Sequence, residues 1–183
     1  MARRPWQGLG GALLALSLLS GGAGAATVAI ATVLSDGTRA TTVGGLDPVS
    51  LEVTRQLPGA APLKLGVSLN GQIDSTAPGR VSGVTVAAPR ARFSAAEQGF
   101  VTGLVGRLAT QCFNLLPARR AAIAAWLGQQ NAAGARRVAA TFGPLKLQWA
   151  RGVDSGNRPF TELTLGRSGT PGAAPWVNAC RAY

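Results

Sequence analysis

The order of strand-like and helix-like segments constrains the fold of this chain more than any other feature of its sequence. Apolar and polar residues alternate over residues 49–54, 63–69 and 145–149, and alternation with a period of two is typical of a half-buried strand. Residues 94–130, which lie between these segments, show helical periodicity instead. Because strands and helices do not alternate regularly, we predict an α+β fold, a mainly antiparallel sheet with a two-helix hairpin on one face.

Further strands are predicted on both sides of the helices. The candidate strands are residues 27–34, 40–43, 81–86, 138–142 and 160–165. The first of these is rich in β-branched residues, which favour strands, and Asp36-Gly37 follows it, so the first two are predicted to form a hairpin. Turn residues at 154–159 predict a second hairpin between the strand that contains Trp149 and the last strand. The alternation around Trp149 places this residue in the core.

The two helices have clear start signals. Ser94 and Glu97 form a capping box, in which both side chains satisfy backbone N–H groups of the first turn. Apolar residues then recur every four positions from Phe100 to Cys112, so one face is apolar and turns the cysteine inward. A second helix is predicted to begin near Pro117 and to end at about residue 130.

Two glycines, Gly103 and Gly106, lie inside the first predicted helix. Each costs about 1 kcal/mol relative to alanine in a helix interior. We expect close approach of another backbone as the compensation; the alternative is that the two glycines lie on a loosely packed, exposed face.

The first 25 residues have the features of an export signal. Two arginines precede an apolar segment at residues 9–19, and small residues lead to an A-x-A cleavage site at residues 23–25. We therefore predict a signal peptide over residues 1–25 and a single domain over residues 26–183. The alternative is an uncleaved anchor, because residues 5–35 contain no charge. Contact with a membrane is expected only through such an uncleaved signal.

The chain has two cysteines, Cys112 and Cys180. An even pair in an exported chain is normally oxidised, so we predict a disulfide bond between them. This bond would tie the C-terminal tail to the first helix. The localisation that follows is periplasmic or extracellular.

Histidine is absent from the sequence. Its absence excludes Ser-His-Asp and Cys-His nucleophile systems and histidine-rich zinc sites. The remaining metal option is calcium bound by carboxylates, but the seven acidic residues are dispersed without the spacing of a calcium-binding loop. We therefore predict no metal ion and no cofactor.

The chain is strongly basic, with a net charge of +11, and loss of two arginines with the signal would leave +9. Arg119 and Arg120 lie near the start of the second predicted helix, where cations oppose the helix dipole. Arg136 and Arg137 lie just past its end and would join the first pair if the chain folded back. These four arginines are the predicted anion-binding residues.

Three functions are compatible with these features. The one we favour is an exported, non-enzymatic binding or structural protein of the cell envelope or the extracellular space, because the common catalytic motifs are missing. The second is a basic protein that binds an anionic polymer, such as nucleic acid or a wall polymer, through its arginine pairs. The third is a histidine-independent hydrolase that uses a serine with Lys64 or Lys146, or a pair of carboxylates.

Overall fold

A seven-stranded antiparallel sheet dominates the computed structural model, which describes residues 28–35, 38–44, 49–71, 79, 81–168 and 180–182. The strands are β1 (Val28–Ala29), β2 (Arg39–Gly44), β3 (Val49–Arg55), β4 (Leu63–Asn70), β5 (Gly83–Ala88), β6 (Arg137–Phe142), β7 (Leu145–Val153), β8 (Pro159–Arg167) and β9 (Cys180–Arg181). The helices are α1 (Ile30–Leu34), α2 (Ala95–Cys112) and α3 (Arg120–Ala133), and a short 3₁₀ helix, Pro117–Arg119, leads into α3. The predicted α+β fold, with its antiparallel sheet and helical hairpin, is confirmed.

Two meanders build the sheet, whose strand order is β2-β3-β4-β5-β8-β7-β6. The first meander runs from β2 to β5, and the second runs from β6 to β8. They join where β8 pairs with β5, with Leu163 opposite Val86. Helices α2 and α3 connect the two meanders, so the chain crosses one face of the sheet between β5 and the edge strand β6.

The hydrophobic core lies between this face of the sheet and the helices. Alternate residues of β3, β4, β5, β7 and β8 are buried, as are the inward faces of α2 and α3. Trp149 is fully buried, as predicted from its alternation. On α3, the ring of Trp126 packs edge-on against Phe142 of β6, with 6.1 Å between ring centroids. The opposite face of the sheet carries no helix within the described residues, and we call it the open face.

The helix ends follow the sequence signals. The Ser94 hydroxyl accepts a hydrogen bond from the Glu97 N–H at 3.3 Å, and the Glu97 carboxylate accepts one from the Ser94 N–H at 2.9 Å, so the capping box is present. Helix α3 ends at Gly134, whose φ of 67° is left-handed and therefore suits glycine.

The strand predicted over residues 27–34 is wrong. Most of this segment is helix α1, and the buried residues Ile30, Val33 and Leu34 have the i, i+3, i+4 spacing of a helix face that packs against α2. Burial of this face outweighs the β propensity of the branched side chains. The predicted hairpin across residues 36–37 is wrong as well, because β2 pairs with β3 instead.

Gly106 is buried in α2, but the group that approaches it is not a backbone. A Cβ atom at this position would lie 3.0 Å from Nε of Arg120. The guanidinium of Arg120 therefore lies over α2, and the expected backbone approach is replaced by a side chain.

Cys112 and Cys180 form a disulfide, with 4.6 Å between their Cα atoms. The bond joins the last residue of α2 to β9, and β9 pairs in parallel with β1. The two ends of the described chain therefore meet beside the disulfide. The predicted signal peptide, the residues of the 36–37 turn and the tail at 169–175 lie outside the described residues.

Candidate functional site

The two predicted arginine pairs lie at opposite ends of α3. Arg119 is the residue before the helix and Arg120 is its first residue, whereas Arg136 and Arg137 follow its C-terminal cap. A helix of 14 residues is about 21 Å long. The four arginines therefore do not form one cluster, although their binding of anions stays a prediction.

At the N-terminal end of α3, both arginines are exposed. Arg119 lines a depression of about 360 Å³ together with Leu116 and Pro144. Leu116 is 70% exposed, so this depression is open and largely apolar. Arg120 is directed onto α2 at Gly106, away from Arg119's depression.

Two arginines that the sequence did not single out converge at the C-terminal end of α3. Arg92 donates a hydrogen bond to the backbone oxygen of Ala132 at 3.0 Å, and Arg151 donates to the backbone oxygen of Asn131 at 3.2 Å. A Cβ atom on Gly134 would lie 3.7 Å from a guanidinium nitrogen of each. Both guanidinium groups therefore lie beside the same backbone position.

The environment of Arg151 explains how two like charges are held together. Its guanidinium stacks on Trp149, 4.9 Å from the ring centroid, and also donates to Oδ1 of Asn131 at 2.8 Å. Burial, and then repulsion from Arg92, lowers the pKa of Arg151. The partial negative charge at the C-terminus of α3 offsets part of that repulsion.

Arg136 is the third cation at this end of the helix. Its backbone oxygen accepts a hydrogen bond from the N–H of Arg151 at 2.7 Å, and its side chain is exposed. We call Arg92, Arg136 and Arg151 the arginine cluster. The described acids that are closest in sequence to Arg92 and Arg151 have other partners, because Glu97 pairs with Arg90 at 2.9 Å and Asp154 pairs with Arg158 at 2.7 Å.

Arg137 belongs to the open face instead. It lies opposite Ala150 in the sheet, whereas Arg151 is one residue further along β7 and points to the helix side. The structure thus separates Arg137 from the arginine cluster, although the two are neighbours in sequence.

On the open face, small residues form a trough that runs across five strands. The row is Gly66, Ala87, Glu162, Ala150 and Arg137, each opposite the next in the sheet register. Because glycine and alanine lie on both sides of Glu162, depressions of about 460 and 370 Å³ flank its side chain. A second row beside the trough carries hydroxyl and amide groups: Ser50, Ser68, Thr85, Thr164 and Gln148.

Glu162 differs from the other described acids because no cation pairs with it among the described residues. Glu52, Glu97 and Asp154 each form an ion pair. Among the residues that the structure describes, the carboxylate of Glu162 accepts only a long hydrogen bond of 3.5 Å from Thr164. The sequence placed Glu162 only among the dispersed carboxylates of a possible calcium site. Its alternation with the buried Leu163 and Leu165 is the signal that marks its side of β8 as the one opposite the core.

The lysines of the hydrolase alternative have no serine partner in the described parts of the chain. Lys64 pairs with Glu52 at 3.2 Å, and Lys146 is exposed on the open face beside Thr141. The described ranges also contain no group of three cysteine or acidic side chains close enough to hold a metal ion. No described helix combines the length and apolarity needed to cross a membrane.

No known protein family, curated protein or solved structure matches this chain. Its function is therefore inferred from the chemistry of the arginine cluster and the trough.

Proposed function

We propose that this chain is an exported binding protein and that its arginine cluster binds an anionic polymer. The observation that carries the proposal is the convergence of Arg92 and Arg151 at one backbone position, with neither guanidinium paired to a described carboxylate. Holding two like charges together costs free energy. A bound anion would recover that cost and accept charge-assisted hydrogen bonds from the two guanidinium groups.

A polymer suits the cluster better than a small anion. Arg136 is exposed, and Arg92 reaches the helix end from the loop before α2. The arginine cluster thus lies at the surface, where a polymer can contact it. A net charge of +9 on residues 26–183 would add a long-range attraction for any polyanion.

Export is supported by two independent features. The first 25 residues have the charged, apolar and small-residue segments of a signal peptide. The Cys112–Cys180 disulfide is of the kind that persists in oxidising compartments.

The test is binding of the purified protein to two fluorescent polyanions, a 20-base-pair DNA duplex and a polyphosphate of similar charge, measured by anisotropy at increasing salt. We expect affinity to fall linearly on logarithmic axes, because phosphate contacts release counterions. Similar binding of both probes would indicate a general polyanion site, and binding of the duplex alone would indicate a nucleic acid.

Charge reversal at the two ends of α3 provides a matched comparison. Arg136→Glu and Arg119→Glu change the same charge on exposed side chains at opposite ends of the same helix. We expect Arg136→Glu to weaken binding at least tenfold and Arg119→Glu to have a much smaller effect. Equal effects of the two variants, or binding that does not respond to salt, would contradict the proposal.

A further inference from the structure

The depression between Glu162 and Arg137 presents opposite charges at its two ends. Ala150 separates the two residues in the register, so they stand two strands apart, roughly 10 Å between backbones. They form no ion pair with each other or with another described residue. The space between them, about 370 Å³, is of the size that holds small ligands.

The carboxylate of Glu162 is the acceptor end of this depression. Its only described donor is the Thr164 hydroxyl at 3.5 Å, which is at the limit of a hydrogen bond. Its remaining acceptor positions therefore suit an ammonium group, which donates strong charge-assisted hydrogen bonds.

The guanidinium of Arg137 is the donor end. It makes no hydrogen bond to a described residue, and its fork of N–H groups matches a carboxylate. Gln148 and Thr164 line the depression between the charged ends. The Gln148 amide both donates and accepts hydrogen bonds, which is the requirement for pairing with a peptide group.

We infer that this depression binds a short zwitterionic peptide, with its ammonium group at Glu162 and its carboxylate at Arg137. An extended dipeptide spans about 7 Å, whereas the backbones of Glu162 and Arg137 are roughly 10 Å apart. The two charged side chains bridge the difference by reaching toward the ends of the peptide. The floor of Ala139 and Ala150 leaves room for the peptide backbone without selecting large side chains. This site is distinct from the arginine cluster, because Arg137 lies on the open face.

The experiment is calorimetric titration of the full chain with alanyl-alanine and with two blocked forms. N-acetyl-alanyl-alanine lacks the ammonium group, and alanyl-alanine amide lacks the carboxylate. We expect each blocked form to bind at least tenfold more weakly than the zwitterion, which is the effect of losing one charge-assisted hydrogen bond. Cellobiose tests the competing idea that the hydroxyl row beside the trough binds a sugar.

Two variants test which end of the peptide each charged residue binds. Glu162→Gln should remove the preference for the free ammonium group, and Arg137→Gln should remove the preference for the free carboxylate. Glu52→Gln, on the same face but beside Lys64, is the matched control and should bind as the unchanged protein does. Thermal melting of each variant separates a loss of binding from a loss of folding.

Selective binding of the zwitterion, lost in the two variants and kept in the control, would establish the site. Absence of binding by alanyl-alanine, equal binding of its blocked forms, or binding of cellobiose in its place would overturn the inference. None of these results depends on whether the arginine cluster binds a polyanion.

Discussion

Asn131 of α3 holds both backbone groups of Phe93 with its side-chain amide. Its Oδ1 accepts from the Phe93 N–H at 3.0 Å, and its Nδ2 donates to the Phe93 oxygen at 2.9 Å. The same Oδ1 accepts from Arg151 at 2.8 Å. One side chain thus ties the end of α3 to the segment that precedes α2 and orients one member of the arginine cluster.

Replacement of Asn131 by alanine should lower the free energy of unfolding by about 1.5–4.5 kcal/mol, because three hydrogen bonds are lost at about 0.5–1.5 kcal/mol each. Urea denaturation measures this change. Gln129→Ala, on the exposed side of α3, is the control and should change stability by no more than about 0.5 kcal/mol. Equal urea midpoints for the two variants would show that the Asn131 amide does not stabilise the segment around Phe93.

Removal of the disulfide should lower stability by about 4 kcal/mol, since it closes a loop with a sequence separation of 68 residues. The double variant Cys112→Ser with Cys180→Ser, compared with the oxidised protein in urea, measures the loss. The mass of the unreduced protein should be two hydrogens below that of the reduced form. Free thiols on both cysteines would contradict the pairing.

Trp149→Ala should cost about 3–5 kcal/mol, because it empties a fully buried position in the core. Trp149→Phe should cost about 1–3 kcal/mol, since it keeps an aromatic ring but removes the indole N–H that donates to the Ala135 oxygen at 3.1 Å. Thermal or urea unfolding gives both values. Val153→Thr changes a position of β7 that is 61% exposed and should leave stability nearly unchanged. A loss of stability there as large as in Trp149→Ala would contradict the importance of burial at Trp149.

Two glycine substitutions should act in opposite directions. Gly106→Ala should stabilise the protein by up to about 1 kcal/mol, because alanine favours the helix and the Arg120 side chain near the new methyl group is able to move. Gly134→Ala should destabilise by about 1 kcal/mol, because φ there is 67°. Melting temperatures of the two variants test the contrast, and a loss of stability in Gly106→Ala would mean that Arg120 is held in place.

Asp154 should contribute to acid sensitivity. The Arg158 side chain, and then the Arg158 N–H, hydrogen bond to its carboxylate and lower its pKa from the ordinary value of 3.8. A lowered folded-state pKa gives stability that is fully present above the unfolded-state pKa and is lost as the pH falls through the folded-state pKa. Asp154→Asn should therefore be less stable than the unchanged protein at pH 7, with a gap that narrows toward pH 2. Parallel curves of melting temperature against pH would refute this role.

The sequence predicted the elements whose signals are local. The capping box at Ser94 and Glu97 determines the start of α2, and the alternation around Trp149 determines which face of β7 is buried. Helix α1 was missed because its residues favour strands individually, and only packing against α2 selects the helix.

The candidate sites were predicted less well than the fold, for a physical reason. Arg92 and Arg151 meet because α3 ends between them, and they are 59 positions apart in a chain without a spacing motif. Arg136 and Arg137 are adjacent in sequence, but the alternation of side chains in a strand sends Arg137 to the other face. Such placements depend on sheet register, which the sequence pattern alone did not specify.

The pairing of β5 with β8 joins two parts of the sheet that are far apart in sequence. These central strands, Gly83–Ala88 and Pro159–Arg167, come from opposite halves of the chain, and their contact brings together residues more than 70 positions apart. Non-local pairing of this kind forms slowly, because the chain loses entropy on closing the long loop before the stabilising strand contacts form. A chain truncated before residue 159 would leave the edge of β5 that pairs with β8 exposed, so the first meander stays unpaired on that side until β8 has been made.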